Sequence, residues 1–417
     1  MRNSHGLITT LIVLMVCAGA HAAGGTVKGP NEIAPDRYVY YPGTEVLAEN
    51  EIRVIACGTG MPDQRMGQAS ACFLVELGNG DKFIFDLGTG SMRNIASLMI
   101  PYQYLTRIFL SNLNTDHWGD HRSLWAGCCT SGRPLTHEIW GPSGATSELG
   151  TAYALDHMQK MLTWDLAGRA GNVDFRGYRM DVTEFDFKGE NQVVYEENGV
   201  TIRSFPAIHS IDGSVSYSLE WNGLKFVFSS DTYPNTWFNK YARDADLVVH
   251  ECFIAVPELV SKMGFTPESA LLVGTQVHTA PEAFGKVMSE IKPRMAVAYH
   301  FFKDYDTTPA VYDRIRKTYD GPLSLAEDYM VWNVTKDDIR VRLAEVDHHT
   351  WAPPAAAPAE PPKPEDKTAM ARKLGVDTID FSEFTKSGFW NVDDVLRPIY
   401  EEASEVLGQE FPYPEKQ

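Results

Sequence analysis

Phe109-Leu110-Ser111-Asn112-Leu113-Asn114-Thr115-Asp116-His117-Trp118-Gly119-Asp120 is the stretch on which the fold turns. The run from Arg107 to Ser111 is largely apolar and β-prone, and a polar loop follows it. A helix is expected from about Asp120. Metal ligation needs unprotonated imidazole or carboxylate groups held at fixed angles. The end of a strand supplies them well, because the sheet fixes their origin.

Four further segments end in the same way. His209 follows the strand-like run Val200 to Phe205, and Asp231 follows Phe226-Val227-Phe228-Ser229-Ser230. His250-Glu251 ends Leu247-Val248-Val249, and His300 ends Met295 to Tyr299. One His or Asp at a strand end is ordinarily a turn former, but five such ends point to a shared site. The rest of the pattern is β-rich from Glu51, with helices expected at Ser91 to Met99 and Thr146 to Leu162. A second β-rich series runs from Val182, followed by helices at Pro257 to Met263, Pro267 to Thr275 and Pro281 to Ile291. Two sheets packed face to face with helices outside satisfy this order.

The ends of the chain read differently. Arg2, the apolar Leu7 to Gly19 and the small-x-small Ala20-His21-Ala22 form an export signal, with Val16 where a lipoprotein would need a small residue before Cys17. The expected organisation is a signal at residues 1–22, an N-terminal extension at 23–50 and the β-rich domain at 51–348. A Pro/Ala-rich linker at 352–364 and a helical tail at 365–417 follow. The mature protein is expected to be periplasmic or secreted. In the tail, Asn391 is a good N-cap and Pro398 is expected to kink or end the helix early. The tail is read as packing on its own domain, with a homodimer arm as the alternative. A net charge of −18 argues against nucleic-acid and anionic-membrane partners. Cys57, Cys72 and Cys252 read as buried thiols, and Cys128-Cys129 reads as packing, with a vicinal disulfide or soft metal site as the alternative.

Several of these segments carry a resemblance. Ile55-Ala56-Cys57-Gly58-Thr59-Gly60-Met61-Pro62 and Phe85-Asp86-Leu87-Gly88-Thr89-Gly90 resemble two Gly-rich turns of the metallo-β-lactamase superfamily, in its ribonuclease Z and arylsulfatase-like branch. Ser229-Ser230-Asp231-Thr232, Asp246-Leu247-Val248-Val249-His250-Glu251-Cys252, His278-Thr279-Ala280 and Ala298-Tyr299-His300-Phe301 follow in that branch's order. The likeness spans about Glu51 to Val346. It extends to exported members associated with guanitoxin biosynthesis. It implies an α/β (α+β) fold, a four-layer αββα sandwich.

The family run is His-x-His-x-Asp-His, and here it reads Asn112-x-Asn114-x-Asp116-His117. The resemblance therefore implies one metal site (site 2) made of Asp116, His117, Asp231 and His300. The other (site 1) is degenerate and keeps only His209 and a share of Asp231, with Asn112 and Asn114 as substrate-binding groups or weak ligands. Reading Asp120-His121 as the family pair instead would put Trp118, which cannot ligate, at a ligand position. Asp116, His209 and His278 are the candidate catalytic groups. His121, His250 and Glu251 are expected to support the ligands from behind. One Zn2+ per chain is expected, with Fe2+ or Mn2+ as alternatives, because amide oxygens are poor zinc ligands. The expected function is hydrolysis of an ester-like bond in a small-molecule substrate: a phosphodiester, sulfate ester or lactone. The alternative is a catalytically inactive ligand-binding protein of the same fold.

Overall fold

Ile52-Arg53-Val54-Ile55-Ala56-Cys57 shows how the layers arise. Successive side chains of a strand point to opposite faces. Ile52, Val54 and Ala56 enter one hydrophobic core, whereas Ile55 and Cys57 enter another. A strand covered on both faces must lie inside a stack of layers.

The computed structural model describes residues 38–353, 366–388, 391 and 393–414. One sheet holds β1 (Val39–Tyr40), β2 (Ile52–Gly58), β3 (Cys72–Leu77), β4 (Lys82–Phe85), β5 (Arg107–Phe109), β6 (His137–Pro142) and β7 (Met180–Phe185), with β15 (Met330–Val334) and β16 (Ile339–Ala344). Its order is β1-β16-β15-β2-β3-β4-β5-β6-β7. The other sheet holds β8 (Gln192–Glu197), β9 (Val200–Pro206), β10 (Val215–Trp221), β11 (Leu224–Phe228), β12 (Leu247–Glu251), β13 (Met295–Tyr299) and β14 (Leu323–Leu325), in the order β14-β13-β12-β11-β10-β9-β8. Pairing is antiparallel from β2 to β4 and parallel from β4 to β7. The second sheet repeats this, antiparallel from β8 to β11 and parallel from β11 to β14.

The core between the sheets is aromatic. Phe109 stacks on Trp140 with centroids 4.8 Å apart, and Phe85 meets Phe226 of the other sheet at 5.3 Å. Large aromatic rings of this kind contribute most of a core's buried apolar area. Behind the first sheet, Ile84 and Ile108 share a core with Ile95, Leu155 and Leu166 of the helices. Behind the second, Val248 and Ala296 share one with Leu259, Phe284 and Ile315.

Several elements differ from expectation. β6, β14 and the helices Thr163–Arg169, Thr236–Tyr241 and Thr307–Ile315 lack a strong apolar period, and tertiary packing makes them. The helix expected from Thr146 begins at Thr151, after a single 3-10 turn at Ser147–Leu149 and Gly150. In the tail, Met370 and Ala371 of the helix Lys367–Leu374 are buried, and Met370 joins the core behind the first sheet. The helix Asp393–Leu407 continues past Pro398 to Leu407, so the expected early end does not occur, and it buries none of its side chains. The signal and nearly all of the linker lie outside the described residues. The five cysteines among the described residues are free and buried, so Cys128-Cys129 forms no disulfide.

Candidate metal centre

Three of the strands that feed the centre end in an unusual backbone conformation. Asp86 after β4, Ser230 after β11 and His300 after β13 have φ of 58°, 64° and 72°. The left-handed region is uncommon for residues with a side chain. Here it turns the chain sharply, so that the residue leaving the sheet faces its neighbours. Asp116 and His117 sit on a helical turn, Thr115–Trp118, rather than in the loop expected ahead of Asp120. Two glycines seat that turn. A Cβ on Gly88 would lie 2.0 Å from the Asp116 carbonyl oxygen, and one on Gly119 would lie 2.1 Å from Thr89 Oγ1.

The result is a buried cluster. His117 Nε2 is 3.0 Å from Asp231 Oδ2, and His300 Nε2 is 3.2 Å from Asp116 Oδ2 and 3.3 Å from Asp231 Oδ1. One ligand atom from each of these four residues lies within 4.8 Å of the others. Oδ1 of Asp116 and Oδ1 of Asp231 are buried with no hydrogen-bond donor. Unpartnered carboxylate oxygens are costly to bury, and a cation satisfies them. The charge balance says the same. Burial pushes the His117 imidazole down, but Asp231, Asp86 and Asp116 together hold it well above its ordinary value. Burial likewise raises Asp231, yet His117 and His300 bring it well below the usual carboxylate range. Two imidazoles and two carboxylates of this kind fit a divalent transition metal.

A second group of four, Asp231, Glu251, His278 and His300, is equally close-set. It is the weaker metal candidate, because Glu251 is already committed. Its carboxylate accepts the Thr232 backbone N–H at 2.5 Å and faces His278 Nδ1 at 3.0 Å. Burial and the charge of Asp231 push Glu251 up to about 8. His278 lies flat on Phe253, 4.1 Å between centroids, and borders the same cavity.

On the site 1 side the residues are wired to one another. Asn112 Oδ1 accepts the Asn114 backbone N–H at 2.8 Å, and Asn112 donates to Ser230 Oγ at 3.1 Å. Asn114 donates to His209 Nε2 at 3.2 Å. His209 is 3.8 Å from Asp231 Oδ2.

Two expected supporting residues lie elsewhere. His121 is fully buried beside His137, with 5.8 Å between ring centroids, and neither ring nitrogen has a hydrogen bond. The Asp120 carboxylate caps the Met92 N–H at 2.9 Å, so the Asp120-His121 pair takes no part in the cluster. His250 packs between Phe238 and Phe284 in the helical layer, because neighbouring residues of β12 face opposite ways. Only Glu251 of that pair turns to the site.

One supporting residue was not assigned a role from sequence. Asp86 Oδ2 lies 2.6 Å from His117 Nδ1, and Asp86 also accepts the Ser111 N–H and hydroxyl at 2.8 and 2.6 Å. A carboxylate behind a ligating imidazole fixes its tautomer and orientation. Its signal was the Asp-x-Gly-x-Gly turn, but the partner is visible only once β4 and β5 pair. Asp86→Asn is therefore expected to weaken metal affinity by about 10- to 100-fold, read by chelator competition. Unchanged affinity would remove Asp86 from the centre.

Two cavities meet at Asn114 and His209. One, of about 810 Å³, holds Asp116, Asp231, His278 and His300 in its wall. Its cations Arg65 and Lys262 stand 3.9 and 3.1 Å from Asp304. The other, of about 620 Å³, extends from Asn112 and Asn114 to the helix Thr151–Met161.

No protein-family model matches the chain. Its sequence is 29% identical over 208 residues to a ribonuclease Z of Mycobacterium avium, covering 48% of this chain and 69% of that protein. It is 24% identical over 308 residues to a ribonuclease Z of Haloferax volcanii, covering 66% of this chain and 93% of the other. Among solved structures it resembles the metallo-beta-lactamase fold protein YhfI from Bacillus subtilis, with a TM-score of 0.52 and 16% identity, over 68% of this chain and all of that one. It also resembles a long form RNase Z from yeast, with a TM-score of 0.51 and 18% identity, over 72% of this chain and 43% of that one. The shared fold is the four-layer αββα sandwich that the strand order displays.

Proposed function

This chain is a member of the metallo-β-lactamase superfamily, in its ribonuclease Z branch, and on that premise we propose that it is an exported metal-dependent hydrolase of a phosphodiester in a small substrate. The observation that carries this reading is the convergence of Asp116, His117, Asp231 and His300, with two orphaned carboxylate oxygens among them. The favoured metal is a single zinc ion, with iron(II) or manganese(II) as alternatives.

Asp116, His117, Asp231 and His300 would hold the metal, which would supply Lewis acidity towards a phosphoryl oxygen and a water molecule. The remaining work falls to the chain. Asp86 orients His117. His209, on the wall shared by the two cavities, is placed to take a proton from water once its Nε2 exchanges the Asn114 amide for that water. His278, its Nδ1 held by Glu251, is placed to give one to the leaving oxygen. Asn112 and Asn114 make a poor second cation site, because amide oxygens are weak ligands and Asn112 Oδ1 is already taken by the Asn114 N–H.

A small substrate is favoured over RNA by charge. The chain carries −18, and the cleft's Arg65 and Lys262 are matched by Asp304 and Asp306. A polyanion is held chiefly by unpaired Lys and Arg. The test is elemental analysis of the purified protein, with hydrolysis of bis(4-nitrophenyl) phosphate beside sulfate-ester, lactone and β-lactam probes. About one metal per chain and chelator-sensitive phosphodiester cleavage are expected. A metal-free protein inert on every probe would leave the ligand-binding alternative. Asn112→His with Asn114→His is expected to raise metal content from one ion per chain to two. If it stays at one, site 1 is not where these residues place it.

A further inference from the structure

The cavity of about 620 Å³ beside the metal centre is unlike the centre itself. Its walls are Leu113, Trp118, Leu149, Tyr153, Met158 and Ile211. Leu149, Tyr153 and Ile211 are 47%, 41% and 64% exposed. A folded chain seldom leaves several large apolar side chains in water around one hollow unless the hollow receives something. Its size falls in the range of about 300–1,000 Å³ that small-ligand sites occupy. One arginine, Arg122, borders it, against the two acids Glu148 and Asp212, so it offers no excess of positive charge. It is continuous with the catalytic cavity, because Asn114 and His209 line both. The wall facing the metal cluster is made of neutral amides, those of Asn112 and Asn114.

We propose that the substrate is amphipathic: a phosphodiester, on the reading given above, in which one ester substituent is an apolar hydrocarbon arm. The arm lies in this cavity against Trp118 and Met158. The phosphoryl group lies past Asn114, over Asp116, Asp231 and His300. The two Asn residues at the junction make the passage compatible with an apolar chain, where a second cation would have demanded charge. Recognition then comes from burying the arm rather than from contacts along a phosphate backbone.

The test uses the metal-loaded full chain and n-alkyl phosphates from methyl to octyl, with binding measured by calorimetry. Affinity is expected to rise about 3- to 4-fold per methylene until the cavity is filled. Ala154→Trp, which fills the cavity from the helix Thr151–Met161, is expected to flatten that series. Leu149→Asp, at an exposed position where folding is not at risk, is expected to do the same by placing a charge in the wall. Affinity independent of chain length, or a slope that survives both substitutions, overturns the proposal. Hydrolysis of bis(4-nitrophenyl) phosphate is followed in parallel. Its absence together with a steep alkyl series refutes the catalytic reading and leaves the arm site standing. Its presence with a flat series does the reverse.

Discussion

Asp231→Ala is expected to strip the protein of its metal and to lower phosphodiester turnover at least ~1,000-fold, since about 4 kcal/mol of transition-state stabilisation corresponds to three decades in rate. Asp231 has this weight because it touches three imidazoles at the centre. Its Oδ2 meets His117 Nε2 at 3.0 Å and His209 at 3.8 Å, and its Oδ1 meets His300 Nε2 at 3.3 Å. Removing the carboxylate leaves the imidazoles facing each other with one fewer negative charge. The fold itself should persist, because β11 and β12 are held by their own ladder and by the aromatic core. Metal content by mass spectrometry, circular dichroism and turnover, taken together, separate loss of the ion from loss of the fold. A folded Asp231→Ala protein that retained its full metal complement would dismantle the proposed centre.

Acid is expected to weaken the fold before most of its carboxylates titrate. His121 and His250 are fully buried, and burial pushes them down to about 3 and about 4. Arg133 beside His121 adds repulsion. In the unfolded chain each takes up a proton near pH ~6.5. The sign follows: the neutral rings suit the folded state, so stability is intact above pH ~6.5 and falls as pH drops towards the folded values. The slope is about 1.4 kcal/mol per pH unit for each residue. At pH 5 the two together cost about 4 kcal/mol, a large part of the ~5–15 kcal/mol that holds a domain folded. Urea midpoints at pH 7 and pH 5 measure this directly. His121→Leu should remove roughly half of the difference, and an unchanged difference would mean that His121 is not the group responsible.

Much of this was legible because the strands are short apolar runs with a polar residue at the end, and parallel neighbours bring such ends together. Asp116 and His117, Asp231, and His300 come from three strand ends, and β11, β12 and β13 lie side by side. The pleat shows where the reading stopped short. Leu247 and Val249 face the core between the sheets and Val248 faces the helices. His250 must follow Val248, so pairing His250 with Glu251 as joint supports contradicted a period that the sequence already contained. His121 was misplaced for another reason. The helix after His117 widens into a π turn at Ser123–Gly127, and Arg133 folds back to hold the Leu124 and Trp125 carbonyls. His121 is buried beside His137 and Arg133 instead of the ligands, and no local pattern announces it. Asp86 was visible as a motif but not as a partner, since its role depends on the pairing of β4 with β5.

The left-handed residues at the strand ends have a practical consequence under heat. Ser230 and His300 are held in a backbone region that costs about 1–3 kcal/mol for a residue with a side chain. The sheets behind them keep them there, with the His300 N–H bonded to the Thr59 carbonyl at 2.9 Å and the Ser230 hydroxyl to Asn112 at 3.1 Å. As temperature rises, these corners should relax while the aromatic layer is still packed, and the ligands would drift apart. Incubated near its melting point, the protein should fall silent first and uncoil afterwards, and cooling in the presence of zinc should revive it.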